Sequence, residues 1–407
     1  MRKLIIIESS CVGAAYTGNA AKLLGYEPIF LTDSYGSQGD LLEQMKKFNL
    51  INCDTSSVDN MLSSLKQSNI TDIAAVITLC DTTIMLAVEL AELLNVPSIN
   101  PAAKILKDKG DVISLIPEYS PPSIVFDIKD IPYDKIAALT KEYKRVIFKA
   151  CCSSGGHGSF ILDKIEPNIL NEKLKLAGIP GYLKPEKWIA QGFMDGYLVS
   201  LEGYVEKGKP FFFGFSGRRK IGMTECVNIF PIDAELSLKA QARSKEAVTK
   251  LLERSQFNHG YFHIEFMATK DDAYLIDANI GRVGGGGLSQ QLAIAYDISP
   301  ETLYRHILAL TLQHPYEEGS KIFTKPSKKT WSVMYGIPKE AILKKVTLPP
   351  QFPNFHTRLI EYGALVPPVG ISNYSWIGIV SGEASDVEKF SSLIEINTSE
   401  GNFFATF

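Results

Sequence analysis

Cysteine is scarce in this chain and never patterned. The six thiols, at positions 11, 53, 80, 151, 152 and 226, show neither CxxC spacing nor paired Cys/His clusters. That excludes a zinc finger or a disulfide framework and suits a reducing compartment. An excess of one charge is also missing, since 42 basic residues against 45 acidic ones leave a formal charge of −3. No basic surface for nucleic acid is therefore expected. No apolar run reaches the roughly 20 residues of a membrane span, and only Arg2 and Lys3 precede the apolar start at Leu4. A soluble, cytoplasmic protein is the expectation. Two phosphate-loop signatures are absent as well. The turn Ser9-Ser-Cys-Val-Gly-Ala-Ala-Tyr-Thr-Gly18 lacks GxGxxG, and no GK[ST] follows any Gly-rich run, so neither a nicotinamide site nor a Walker loop is supported.

What remains is ordinary globular composition, 45% hydrophobic and 21% charged over 407 residues, enough for two or three domains. Through the first hundred residues short apolar strands alternate with helical spacing. Strands are expected at Lys3 to Glu8, Pro28 to Thr32 and Ile73 to Thr78, and helices at Ala14 to Leu24 and Ile84 to Leu94. Such alternation implies a parallel sheet covered on both faces.

Chemistry concentrates further along. Tyr261-Phe-His-Ile-Glu-Phe266 and Leu275-Ile-Asp-Ala-Asn-Ile280 read as two strands joined through the polar turn Lys270-Asp271-Asp272. Alternation puts Tyr261, His263 and Glu265 on one face, and Leu275, Asp277 and Asn279 together on one face of the second run. Glu265 and Asp277 share a face only across an odd loop or a bulge that resets parity. Two carboxylates and an amide oxygen suit a hard cation such as Mg²⁺, held together with substrate phosphates. Arg282 and the glycines 284 to 287 follow directly. Earlier, Val146-Ile-Phe-Lys-Ala-Cys-Cys-Ser-Ser-Gly-Gly-His-Gly-Ser-Phe-Ile-Leu162 reads as a strand ending in Lys149, a small-residue loop and a second strand. Backbone N–H groups of such a flap can wrap phosphates beside a lysine held on the strand.

In this order the features resemble the ATP-grasp superfamily. Asn100-Pro-Ala-Ala-Lys-Ile-Leu-Lys-Asp-Lys109 looks like the segment preceding its flap, and Trp188-Ile-Ala-Gln-Gly-Phe-Met-Asp-Gly196 looks like its hinge. The resemblance implies α/β and α+β structure: a Rossmann-like domain (1–105), two ATP-grasp subdomains (106–190 with the flap, 191–315 with the metal site), and a small α+β region (316–407). It implies that Lys109 and Lys149 contact nucleotide phosphates, with Ser153, Ser154, Gly155, Gly156, His157 and Gly158 forming the flap. Gln191, Gly192, Phe193 and Met194 would hold adenine through their backbone. Glu265, Asp277 and Asn279 would ligate Mg²⁺, with Mn²⁺ the alternative, and Arg282 would grip a substrate carboxylate or acyl phosphate.

Within the superfamily the carboxylate–amine ligases that join amino acids are most similar, through Ala364-Leu-Val-Pro-Pro-Val-Gly370 and Trp376-Ile-Gly-Ile-Val-Ser381. The implied reaction is ATP-dependent activation of a carboxylate as an acyl phosphate, attack by an amine, and release of ADP and phosphate. A homodimer through the first domain is common in similar proteins. Alternatives are carboxylase or carbamoyl-phosphate chemistry, or a non-catalytic nucleotide-binding module. The chain departs from the usual pattern in having Asp277 for a longer acid and Arg282 one position late. Gln191 and Gly192 stand where acids are common, and Leu198 where a ribose-binding Glu is expected. In Gly214-Phe-Ser-Gly-Arg-Arg-Lys-Ile-Gly222, one of Arg218, Arg219 or Lys220 could enter the cleft, and Glu202 could face it.

Overall fold

A computed structural model describes residues 1–10, 12–33, 39–153, 158–177, 186–316, 319–350, 352–371 and 373–407. The opening strands form as Lys3–Ile7, Glu27–Thr32 and Ile73–Ile77, and the helices as Ala14–Leu23 and Ile84–Leu94. A short edge strand, Asn49–Asn52, joins them without having announced itself in the sequence, because only two of its four residues are apolar. The order is 49–52, 27–32, 3–7, 73–77, all parallel. Strand order therefore reverses between Lys3–Ile7 and Ile73–Ile77, and the reversal opens a crevice at their carboxyl ends.

A lid follows, a four-stranded antiparallel sheet ordered Ser123–Asp127, Lys187–Gly192, Val146–Ala150, Ser159–Leu162. It has its own apolar core, in which Phe126, Ile136, Phe148, Leu170 and Trp188 pack together.

An eight-stranded antiparallel sheet carries the rest of the cleft. Its order is Ala273–Ile280, Gly260–Ala268, Tyr197–Glu206, Lys209–Ile221, Thr224–Phe230, Thr330–Tyr335, Gly378–Glu383, Phe355–Arg358. The last three strands come from beyond residue 316, so the carboxy-terminal region extends this sheet; its other strands make a separate four-stranded sheet. Along Val199-Ser-Leu-Glu202 apolar and polar residues alternate, and the sheet sorts them by face. Val199, Leu201, Phe215, Phe262, Ile264 and Phe266 enter a core shared with Ala247, Val248 and Leu251 of the helix Leu238–Ser255. Ser200, Glu202, Ser216, His263, Glu265, Asp277 and Asn279 meet as cross-strand partners or same-strand neighbours on the opposite face. The first domain docks through a shared apolar cluster that joins Leu4, Ile6 and Phe30 to Tyr204, Leu288 and Leu303. Among the described residues, no helix is long and apolar enough to cross a membrane.

Candidate active site

The turn between the two acid-bearing strands has four residues, Thr269 to Asp272, an even count that alone would separate the two carboxylates. A bulge resets the parity. Glu265 pairs with Asp277 and His263 with Asn279, but Phe266 pairs with Leu275, leaving Ile276 as the extra residue. One expectation is corrected by this: Leu275 turns to the core side with Phe266 instead of sharing the face of Asp277 and Asn279. The bulge also presents the Ile276 carbonyl to the lid, where Lys149 Nζ donates to it at 3.2 Å.

Cations from three directions meet the hairpin. Lys149 donates to Gln191 Oε1 at 3.0 Å, and Gln191 is held in turn through Ser123 Oγ at 2.9 Å. Burial pushes the Lys149 ammonium down to about 8, because Asp277 and Glu265 only partly offset the lost hydration. Lys109 lies 3.2 Å from Asp277 Oδ1 and donates to the Ser153 carbonyl at 2.8 Å. Burial pulls its pKa down too, but Asp277 and Asp81 outweigh that and hold it above the ordinary lysine value.

From the other side comes Arg218, the one residue of Arg218, Arg219 and Lys220 that enters the cleft. It contacts Glu265 Oε1 at 3.2 Å, Glu225 Oε2 at 3.3 Å and Ser200 Oγ at 2.6 Å. Arg219 instead stacks over Trp331, and Lys220 pairs with Glu225 at the half-exposed rim. Burial raises the Glu265 pKa, yet the Arg218 guanidinium holds it well below the usual carboxylate range. Arg218 Nη2 stands 2.8 Å from His263 Nε2, so that nitrogen accepts and the imidazole proton lies on Nδ1, 2.8 Å from Glu202 Oε1. Glu202 thus faces the site and fixes the ring beside Glu265.

Arg282 reaches Asn279 Oδ1 at 2.8 Å and Asp81 Oδ1 at 3.4 Å. Asp81 Oδ2 also lies 2.5 Å from Lys107 Nζ. Neither Asp81 nor Lys107 was singled out from the sequence. The available signal was position, since Asp81 follows the strand Ile73–Ile77 at the reversal crevice where ligands of such sheets bind. Beside it, Ser10, Val12, Leu79, Val283, Gly284 and Tyr304 line a recess of about 330 Å³.

At the hinge, the Gly192 N–H donates to the Pro122 carbonyl and the Phe193 N–H to the Arg145 carbonyl. Arg145 also stacks over Phe193 and pairs with Asp195. Between hinge and hairpin, Val112, Ile113, Ile189, Ile276, Lys149 and Asp277 line a slot of about 260 Å³. Ser153 is buried and Gly158 takes a left-handed backbone, whereas Ser154, Gly155, Gly156 and His157 lie outside the described residues.

Among the described residues, no group of three or more His, Cys, Asp or Glu side chains is placed to hold a metal ion by itself. The donor set here is two cross-strand carboxylates and one amide oxygen. Those hard oxygens fit Mg²⁺ that takes its remaining ligands from substrate phosphates and water, and they do not form an all-protein cage.

A doubly wound first domain, an antiparallel lid, and a sheet with a two-carboxylate hairpin facing that lid make up an ATP-grasp fold. Solved structures match nearly the whole chain. The L-amino acid ligase of Bacillus licheniformis is 14% identical with a TM-score of 0.72, over 96% of both chains. The phosphoribosylglycinamide synthetase of Anaerococcus prevotii is 19% identical with a TM-score of 0.70, over 97% of this chain and 99% of the other. The biotin carboxylase domain dimer of the Hydrogenobacter thermophilus 2-oxoglutarate carboxylase, in complex with MgADP, ADP and bicarbonate, is 14% identical with a TM-score of 0.71, over 98% and 91%. At such identities the likeness establishes the fold. No protein-family model and no curated protein matches the sequence.

Proposed function

We propose that this protein is an ATP-dependent ligase that activates a carboxylate as an acyl phosphate and joins it to an amine, releasing ADP and phosphate. The observation that carries this reading is convergence: Lys149 from the lid and Lys109 from the helix Lys109–Leu115 meet the Ile276 carbonyl and Asp277 across one slot, with Glu265 paired opposite Asp277, in an ATP-grasp fold. Phosphoryl transfer asks a protein mainly for charge neutralisation and in-line positioning, and this is what such a set of residues supplies.

Adenine would enter the apolar slot between Ile189 and Ile276. With the Gly192 and Phe193 amides already engaged, the Met194 peptide is the hinge group left to meet its edge. Lys149 and Lys109 would bind the phosphates. Glu265, Asp277 and Asn279 would hold Mg²⁺, which when bound neutralises and bridges phosphate oxygens. Arg218 keeps Glu265 ionised, and Glu202 orients the His263 ring beside it. Arg282 donates to Asp81, Asn279 and Val283 and, among the described residues, leaves two N–H donors that could meet a substrate carboxylate.

Bicarbonate is the second carboxylate-like substrate to consider, because a carboxylase domain with bicarbonate shares the fold. The test is ADP release by the purified protein with Mg²⁺ and ATP, across a panel of amino-acid pairs, simple carboxylates with amines, and bicarbonate. Turnover that needs both a carboxylate and an amine supports the ligase. Turnover with bicarbonate alone moves the protein to carboxylase chemistry, and tight ATP binding without turnover on any member sinks both.

A further inference from the structure

The turn Asp81–Thr83 begins where the strand Ile73–Ile77 leaves the first domain's sheet at the reversal crevice. Its carboxylate is shared by two cations from other parts of the chain, Lys107 at 2.5 Å and Arg282 at 3.4 Å. All three side chains are largely withdrawn from solvent, at 13–15% exposure. Arg282 is gripped at both ends. Its Nε meets Asp81, its Nη1 donates to the Val283 carbonyl at 3.0 Å, and its Nη2 donates to Asn279 Oδ1 at 2.8 Å. The orientation of the Asn279 oxygen thus depends on a guanidinium whose far end is fixed by a carboxylate 201 positions away in the chain.

We propose that Asp81 is a positioning residue for the metal–phosphate end of the cleft. It holds Arg282, and through Arg282 the Asn279 oxygen, and it offsets the charge of Lys107 and Arg282 so that a divalent cation can approach. The inference rests on the MgATP reading above and adds to it a part played by the first domain. Burial raises the Asp81 pKa, but Arg282 and Lys107 outweigh it and keep the carboxylate ionised, as this role needs.

Removing that negative charge raises the local positive potential. The same change repels a divalent cation and attracts a polyphosphate, so the two ligands respond with opposite sign. A merely structural loosening would weaken both together.

The experiment uses the full chain and a fluorescent ATP analogue at equilibrium, once in EDTA and once titrated with Mg²⁺. Asp81→Asn is expected to raise the Mg²⁺ midpoint by about fivefold or more, with affinity in EDTA unchanged or tighter, and Asp81→Glu to restore most of the midpoint. If Asp81→Asn does not fold, D81N/K107M removes a matched pair of charges; it still unties Arg282 and is expected to raise the midpoint by at least about twofold. A midpoint within twofold of wild type, or equal weakening under both conditions, overturns the proposal. Wild-type protein that binds the analogue under neither condition refutes the nucleotide reading itself, and this proposal with it.

Discussion

Burial pushes the Lys149 ammonium down to about 8, and Gln191, which accepts its hydrogen bond, carries no charge to resist that. Below pH 8 the lysine is already charged when a phosphate arrives. Above pH 8 it is neutral in the free protein, so binding must take up a proton, and affinity for ATP should fall by up to about tenfold per pH unit. Calorimetric titration at pH 7 and pH 9, in buffers of different ionisation enthalpy, should show proton uptake near zero at the lower pH and approaching one at the higher. Lys149→Met should bind more weakly and lose that dependence; a Met variant with the same proton uptake would place another group at the phosphates. Lys109 offers a contrast, since Asp277 and Asp81 outweigh its burial and keep it charged throughout. Arg218 is the other residue on which much depends. Its side chain is 5% exposed and it compensates Glu265 and Glu225. Arg218→Met should therefore cost about 3–5 kcal/mol in urea denaturation, because carboxylates are left buried without a partner. Glu265→Ala leaves Arg218 its contact with Glu225, so it should cost less in the same denaturation than Arg218→Met while reducing metal-dependent turnover at least about a hundredfold. Full turnover in that variant would remove Glu265 from the metal site.

The elements around the hairpin show why one glycine in a run differs from the next. Gly287 has φ +83 and caps the helix Leu288–Ala295, and a Cβ built there falls on the hydroxyls of Ser332 and Ser381. At Gly285 a Cβ meets open space, without the left-handed backbone. Gly287→Ala should therefore destabilise by about 1–3 kcal/mol, through strain and overlap together. Gly285→Ala should lie within about 0.5 kcal/mol of wild type. Equal effects in a denaturation series would mean that the loop repacks freely and does not hold a fixed shape against the sheet. The same elements show what sequence can and cannot convey. Strand alternation is a local signal, so Glu265, Asp277 and Asn279 were legible from a few residues each, and so was the lysine ending the strand Val146–Ala150. The bulge was legible only as one of two ways to satisfy parity, since Leu275 and Ile276 are both apolar and neither declares its face. Asp81 and Lys107 were not legible, because Asp81 meets Lys107 and Arg282 from distant parts of the chain and no local period reports such pairs. Arg218 stood among three adjacent basic residues, and only the cross-strand positions of Ser200 and Glu265 select it.

At the scale of the whole molecule, the lid is joined to the remainder in a different way from the first domain. The first domain shares an apolar cluster with the large sheet, whereas the apolar core of the lid is drawn wholly from residues 124 to 190. Polar links carry the lid to the cleft: Lys149 to the Ile276 carbonyl, the Lys109 amide to the Cys151 carbonyl, and Lys109 Nζ to the Ser153 carbonyl. The slot between lid and hairpin has room for little more than a water molecule, far short of an ordinary small-molecule pocket. A nucleotide bound there would have to part these walls, and the polar links are what it would replace. Exchanging them for bonds to phosphate and adenine costs little, while separating the first domain would expose apolar surface at roughly 25 cal/mol per Å². The lid should consequently move as a body while the first domain stays docked. Hydrogen exchange followed by mass spectrometry makes this measurable. On adding MgATP, amides of Val146–Ala150, Lys187–Gly192 and the hairpin Gly260–Ile280 should slow by about tenfold or more, with Lys3–Ile7 and Ile73–Ile77 unchanged. Lys149→Met should lose the protection in the lid before that in the hairpin, because its ammonium bridges the two. Protection spread evenly over the first sheet, or absent from the lid, would mean that the cleft opens by moving the first domain, against the distribution of apolar contacts.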